Sequence, residues 1–267
     1  MELVISKFSA VTTFNLDKQA YGLDLIQSYC KFWPDECILY VFLENGLDKV
    51  DYENIKHKVK FFDYQKTIPE YYQFCTKFKD MEKKQDTYRL NAFKFAYKVF
   101  AMKKVLSKIS SNFLIWLDAD IKTIKPISEE FLLRLTDEKK YMSYLGRSHV
   151  KKENVRYSEN GFTIFNTKHK LHFHFWERIE KMYTNGELFK LSEWHDSFVF
   201  DVVRTSLEKE FDCYNINISD FGIKSVGNES HVFVASILGD YMDHKKGDRK
   251  EKKWSPEFIN RYRDNND

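Results

Sequence analysis

The apolar run Phe113-Leu114-Ile115-Trp116-Leu117, closed by Asp118-Ala119-Asp120, constrains the fold of this chain more than any other segment. A short unbroken apolar run reads as a strand buried on both faces, inside a sheet that helices cover. The residues before it agree. From about Arg89 to Lys108, Leu90, Phe93, Tyr97 and Phe100-Ala101 recur at helical spacing and predict an amphipathic helix leading into the strand. Two acids one residue apart at a strand's carboxyl end lie where α/β sheets bind their ligands. They are well placed there to hold a divalent cation against a diphosphate. A plain loop is the competing reading of so short a pattern.

Strands and helices alternate along the rest of the chain, which predicts an α/β fold. Leu3 to Thr13 reads as a strand running into a Thr- and Asn-rich loop. Tyr21 to Phe32 has helical spacing and ends before Trp33-Pro34. Cys37 to Leu43 and Val59 to Phe62 read as strands, followed by a loop rich in charges and aromatics up to Arg89. Beyond the acids, Ser128 looks like the N-cap of a helix with Glu129 and Glu130 in its first turn. Tyr141 to Leu145 and Gly161 to Phe165 are strand candidates, Leu171 to Asn185 is a helix, and Asp196 to Arg204 begins another. A basic, polar tail runs from Asp243 onward. With no internal repeat and no break in composition, residues 1–267 are expected to form a single domain.

The composition, 43% hydrophobic and 31% charged, is that of a soluble globular protein. A net charge of +3, set against 43 basic and 40 acidic side chains, does not announce a nucleic-acid binder. Cys30, Cys37, Cys75 and Cys213 show neither CxxC nor zinc-ligand spacing, so thiols in a reducing cytosol are expected. Leu3-Val4-Ile5 is followed at once by Ser6-Lys7, which is no signal peptide, and no apolar stretch approaches the ~20 residues of a membrane span. The expectation is a soluble cytoplasmic protein, bacterial, or working in host cytoplasm if viral.

Near the C-terminus stands His244-Lys245-Lys246-Gly247-Asp248-Arg249-Lys250, an HxxGxxK pattern. A neutral imidazole can complete a metal sphere begun by carboxylates. A glycine lets backbone approach a phosphate, and a lysine three residues on can neutralise charge on a leaving diphosphate. A solvated basic tail containing a His and a Gly by chance is the alternative.

The pairing of a strand-end DxD with a distant HxxGxxK, in this order, resembles metal-dependent glycosyltransferases of the GT-A fold. The pattern is most similar to glycosyltransferase family 8, the glycogenin and galactosyltransferase-like family. The resemblance implies a Rossmann-like mixed sheet flanked by helices, with residues 1–125 forming the nucleotide-binding half. Residues 126–267 would supply the acceptor-binding half and the metal- and diphosphate-binding segment. Asp118, Asp120 and His244 would bind Mn²⁺ (or Mg²⁺), while Gly247 and Lys250 would hold the diphosphate. Asp118 has a second reading, contact with the ribose or a metal-bound water. The family often follows the Lys with Pro-Trp, whereas here Glu251-Lys252-Lys253-Trp254 intervenes.

Other matches extend the resemblance over most of the chain. Thr12 and Thr13 stand where the family's first loop meets the uridine, and Ala119 belongs to the donor site with the acids. Lys98 matches a lysine that reaches toward the nucleotide sugar. Asn91, Lys94 and Lys98 share one helix face, which either looks into the site or is simply wet; Arg89 is a weaker candidate. Asn160-Gly161-Phe162-Thr163-Ile164-Phe165-Asn166 looks like the strand that walls the sugar pocket. Glu193-Trp194-His195-Asp196 matches the acidic motif before the final helix. Asp196 is the choice for catalytic acid, as base or as orienting group, and an ordinary helix N-cap is its other reading. Glu193 and His195 are lesser candidates. His149, His169, His172 and His174 are taken as surface or packing residues.

The implied activity is transfer of a sugar from a nucleoside-diphosphate sugar, UDP-linked by the resemblance, to an acceptor hydroxyl. A glycan is the default acceptor; protein and modified DNA are alternatives, since Lys245 to Lys253 holds six basic side chains that could steer a polyanion. Two readings of another class remain. Haloacid-dehalogenase-like phosphatases also use a hydrophobic run and DxD, but usually want Thr or Val where this chain has Lys122, and open their domain with the motif. A non-catalytic nucleotide-sugar-binding protein would be expected to have lost part of the site.

Overall fold

Phe113–Leu117 is a strand buried along its whole length, as its unbroken apolar sequence demands. It lies at the middle of a seven-stranded mixed sheet in the computed structural model, which describes residues 7–50, 55–82, 87–147, 157–226 and 231–263. His149 and the apolar start at Leu3-Val4-Ile5 lie outside the described residues.

The first half supplies β1 (Phe8–Phe14), α1 (Gly22–Phe32), β2 (Ile38–Leu43) and β3 (Val59–Asp63). Short helices α2 (Tyr64–Thr67), α3 (Pro69–Lys77) and α4 (Lys79–Glu82) precede α5 (Ala92–Leu106), β4 (Phe113–Leu117) and β5 (Ile121–Thr123). The second half adds α6 (Glu129–Arg134), β6 (Met142–Leu145), β7 (Glu159–Asn166), α7 (Lys170–Thr184), α8 (Asp196–Phe211) and β8 (Ile216–Asn217). It ends with α9 (Val232–Ala235), β9 (Met242–His244) and α10 (Pro256–Arg263).

The sheet order is β3-β2-β1-β4-β7-β6-β8. The first four strands pair in parallel, β7 runs antiparallel to both β4 and β6, and β8 pairs in parallel with β6. Side-chain alternation gives each face its own core. Phe113, Ile115 and Leu117 join Ala10, Leu39 and Phe162 on one face. Leu114 and Trp116 join Val11, Phe42 and Phe165 on the other. Both cores draw on both halves of the chain, so the expected mixed sheet flanked by helices is a single α/β domain.

Three expectations need correction. The helix before β4 begins at Ala92 rather than Arg89, because the Asn91 side chain caps it, accepting from the Lys94 N–H at 3.1 Å. Arg89 instead sits in a 3-10 turn, Tyr88–Leu90. Part of the segment read as a charged loop is helical, started by Pro69 in its first turn. Its buried Tyr71 and Phe74 pack on α5 through Tyr97 and Phe93, at 4.0 and 5.4 Å between ring centroids. The segment from Asp243 through residue 263 is not a solvated tail. Ser255 donates to Asp243 from its N–H (2.7 Å) and its Oγ (2.6 Å), and that Oγ accepts from the Phe258 N–H to start α10. The Ser128 N-cap is observed as expected.

A two-stranded ribbon stands outside the main sheet. In it β5 and β9 pair antiparallel, with Ile121 opposite His244 and Thr123 opposite Met242. No helix among the described residues is long and apolar enough to cross a membrane.

Candidate active site

The chain leaves the core after Leu117, where the Asp118 N–H donates to the Gly161 carbonyl of β7 at 2.9 Å. Asp120 then opens the β5–β9 ribbon, and the Lys245 N–H donates to the Asp120 carbonyl at 3.0 Å. Pairing with β5 is what brings His244 to the DxD. Its Nε2 lies 3.0 Å from Asp120 Oδ1 and 3.7 Å from Asp118 Oδ2. One ligand atom from each of the three residues falls within 4.8 Å of the others. The backbone of β7 passes close beneath the ring: a Cβ on Gly161 would stand 2.6 Å from His244 Cε1. A glycine inside a strand is a sign of such an approach.

The charges are buried and tightly balanced. Burial pushes the Asp120 carboxyl up, but His244 and Lys250 outweigh it and hold the group well below the usual range. Burial pulls the His244 imidazole down, and Asp120, Glu159 and Asp118 together raise it. Lys250 Nζ lies 3.2 Å from Asp120 Oδ2 and donates to the Tyr21 hydroxyl at 3.2 Å. Even so, Asp120 Oδ1, which faces His244 Nε2, and His244 Nδ1, on the Glu159 side of the ring, are each buried without a hydrogen bond. Buried polar atoms ordinarily find partners. A buried carboxylate oxygen without a hydrogen bond, 3.0 Å from an imidazole nitrogen, suits a divalent cation such as Mn²⁺ or Mg²⁺.

Lys98 is buried beneath this site. Its ammonium lies 2.8 Å from Asp196 Oδ2 and 3.3 Å from Asp118 Oδ1, donates to the Asn160 carbonyl, and sits over the Trp116 ring. Its pKa is raised, because Asp118 and Asp196 outweigh the opposing effect of burial. The cap reading of Asp196 fails. His195 is the N-cap of α8, its Nδ1 accepting from the Phe198 N–H at 3.3 Å, while Asp196 is the first helical residue. The Asp196 Oδ2 accepts from Asn160 Nδ2 at 2.8 Å as well as meeting Lys98. On the α5 face, Asn91 serves as cap, Lys94 is exposed at the cleft, and only Lys98 reaches the acids.

The cleft of about 300 Å³ above these residues is also lined by Thr13, Ala119, Glu44 and Glu159. Thr13 Oγ1 donates to the Phe42 carbonyl. Thr12 is fully buried in β1 and does not line the cleft. Gly247 has φ 64° and open space where a Cβ would stand, so its backbone is unobstructed there. His172 is buried packing, His169 caps α7 and His174 is exposed.

Sequence reasoning missed Glu159, Gly161's closeness to His244, Tyr21 and Trp116. Trp116 Nε1 donates to Asp118 Oδ1 at 2.6 Å and fixes that carboxylate. Glu159 is buried beside Arg147 at 2.5 Å and Lys246 at 2.6 Å. An acid directly before the strand candidate was the available signal, since a charge that becomes buried requires partners.

No protein-family model matches the chain, and no curated protein does. Solved structures do. An active-site mutant of LgtC is similar over 94% of each chain, at 14% identity and a TM-score of 0.56. The apo form of the glycosyltransferase GlyE from Streptococcus pneumoniae TIGR4 matches 97% of this chain at 13% identity and a TM-score of 0.51. The apo bifunctional glycosyltransferase WbbM matches 98% at 12% identity and a TM-score of 0.52. This chain spans 64% of GlyE and 53% of WbbM. At such identities the likeness is one of fold, and the fold is GT-A.

Proposed function

We propose that this chain is a metal-dependent glycosyltransferase, moving a sugar from a nucleoside-diphosphate sugar, UDP-linked, to a hydroxyl of a glycan. The observation that carries the reading is the convergence of Asp118, Asp120 and His244, with Asp120 Oδ1 buried without a hydrogen bond 3.0 Å from His244 Nε2. The fold likeness supports a transferase over the phosphatase alternative. The intact set of acids, His and Lys speaks against a binding protein that has lost its site.

Asp118, Asp120 and His244 would hold the cation, which supplies charge neutralisation for the departing diphosphate. Lys250 adds positive charge beside it, and the backbone at Gly247 leaves room for a phosphate. In the transfer step the acceptor oxygen bonds to the anomeric carbon as the bond from that carbon to the diphosphate oxygen breaks. The hydroxyl proton passes to Asp196 in an inverting course, or to the leaving phosphate in a retaining one. Lys98 and Asn160 both meet Asp196 Oδ2, so they fix the carboxylate that orients the sugar or takes the proton. The basic run is mostly spent on internal partners. Lys245 meets Asp24, Lys246 meets Glu159, Arg249 meets Glu257 and Lys250 meets Asp120. That leaves little for a polyanion and favours a glycan over DNA.

A thermal-shift screen of nucleotide sugars, with and without Mn²⁺, tests the reading. A donor that binds the native state raises the melting point, and the rise is expected to need the metal. Undiminished transfer in excess chelator would contradict it.

A further inference from the structure

Tyr88, Phe95 and Tyr157 belong to neither core of the sheet, yet all three line the cleft that holds Asp118 and Asp120. Tyr88 is 55% exposed, a large ring left in water at the mouth. The three rings gather around the His195 imidazole, with centroids 4.5 Å (Tyr157), 5.8 Å (Phe95) and 6.0 Å (Tyr88) from it. Their polar ends are organised too. The Tyr88 and Tyr157 hydroxyls share a hydrogen bond at 2.9 Å, and Arg89 Nε donates to the Tyr88 hydroxyl at 3.3 Å. His195 Nε2 meets Glu193 Oε2 at 2.8 Å. Neither burial nor core packing accounts for a collar built this way.

We propose that this collar is the acceptor subsite, taking a pyranose ring of a glycan; this rests on the glycosyltransferase reading above. His195 directly precedes Asp196, so a ring seated on the collar brings its hydroxyls to the acid that Lys98 ties to Asp118. A pyranose presents an apolar C–H face and a rim of hydroxyls. The collar presents aromatic faces with tyrosine hydroxyls and the Arg89 guanidinium at their edge, which match both, while the buried His195 ring anchors them from below. A stacked nucleobase would find the same faces, but single-stranded nucleic acid also needs a basic track for its backbone. Here Arg89 is turned to Glu193, at 3.4 Å, and Lys94, 5.8 Å from the centroid of the Phe95 ring, is a single cation rather than a track.

Saturation-transfer NMR on the full chain with UDP and Mg²⁺ tests this, using methyl β-glucopyranoside, methyl β-galactopyranoside and lactose as probes and an oligothymidylate as the DNA arm. We expect saturation of ring protons in at least one saccharide. Tyr88→Ala and Tyr157→Ala are each expected to weaken that binding by about tenfold, while UDP with Mg²⁺ still raises the variants' melting points. Tyr157→Phe, which removes only the hydroxyl, guards against misfolding and is expected to lose less. No saccharide signal in wild type overturns the proposal. So does a signal unchanged in both alanine variants, or collar-dependent binding of the oligothymidylate in place of the sugars. Loss of the nucleotide response in wild type itself would sink the donor reading instead.

Discussion

The two ends of the cleft are made of different material. At the donor end, Asp120, His244 and Lys98 are buried charges, each held in place by others. At the acceptor end, exposed or half-buried rings stand clear of both cores, Arg89 pairs with Glu193, and the exposed Lys94 stands over the Phe95 ring. Buried charge is costly unless it is paired or ligated, so the donor end must be rigid and tied to the fold. Aromatic faces in water cost little and bind by contact area, so the acceptor end can differ without disturbing the sheet. Changes at the donor end should therefore affect folding or metal binding, and changes at the collar only acceptor binding.

The largest effect on activity should come from the metal ligands. Asp120→Ala or His244→Ala is expected to lower metal-dependent transfer or donor hydrolysis by about 10²–10³-fold or more, with the circular dichroism of a folded chain. Activity within a few-fold of wild type would break the comparison. On stability the main test is Lys98→Met, which leaves Asp118 and Asp196 without their buried counter-charge. It should cost about 3–5 kcal/mol in urea unfolding. A cost near zero would mean the lysine is not structural at the donor end.

Gly161→Ala sharpens the contrast between metal binding and folding. The new methyl meets the His244 ring, so Mn²⁺ affinity, read from the metal dependence of the melting point, should fall by about 10–100-fold. The smallest effect concerns Glu44, which lines the cleft. Burial pushes its carboxyl up to about 7, against the pull of Lys18 and a hydrogen bond with Asn15. A folded pKa above the unfolded value of about 4.3 means that this contribution to stability is present at low pH. It is lost as pH rises through about 7. Glu44→Gln should therefore flatten the decline in melting point over that window, and an unchanged profile would show that the group titrates normally.

The charged cluster around Asp120 was legible in sequence because charge next to a buried strand is conspicuous. Asp118 and Asp120 follow an unmistakable strand, and His244, Gly247 and Lys250 keep a recognisable spacing. What spacing could not show was the β5–β9 pairing that joins the two motifs, since Ile121–Thr123 and Met242–His244 are three-residue strands in otherwise polar surroundings. Thr12 was misplaced by the same limit, as strand alternation turns only its neighbour Thr13 to the cleft. Helices α2 to α4 were hidden because they are short, and in α3 only Tyr71 and Phe74 are buried. Of the collar only the polar members Arg89, Glu193 and His195 stood out in the sequence, as lesser candidates; Tyr88 and Tyr157 come from separate segments with no shared pattern.

Mn²⁺ titration followed by electron paramagnetic resonance, in the presence of UDP, tests the central claim most directly. Wild type is expected to take up a single ion per chain and quench the free-ion signal, with Asp120→Ala and His244→Ala leaving that signal intact. Equal uptake by wild type and both variants would contradict the assignment of Asp118, Asp120 and His244 as the metal site.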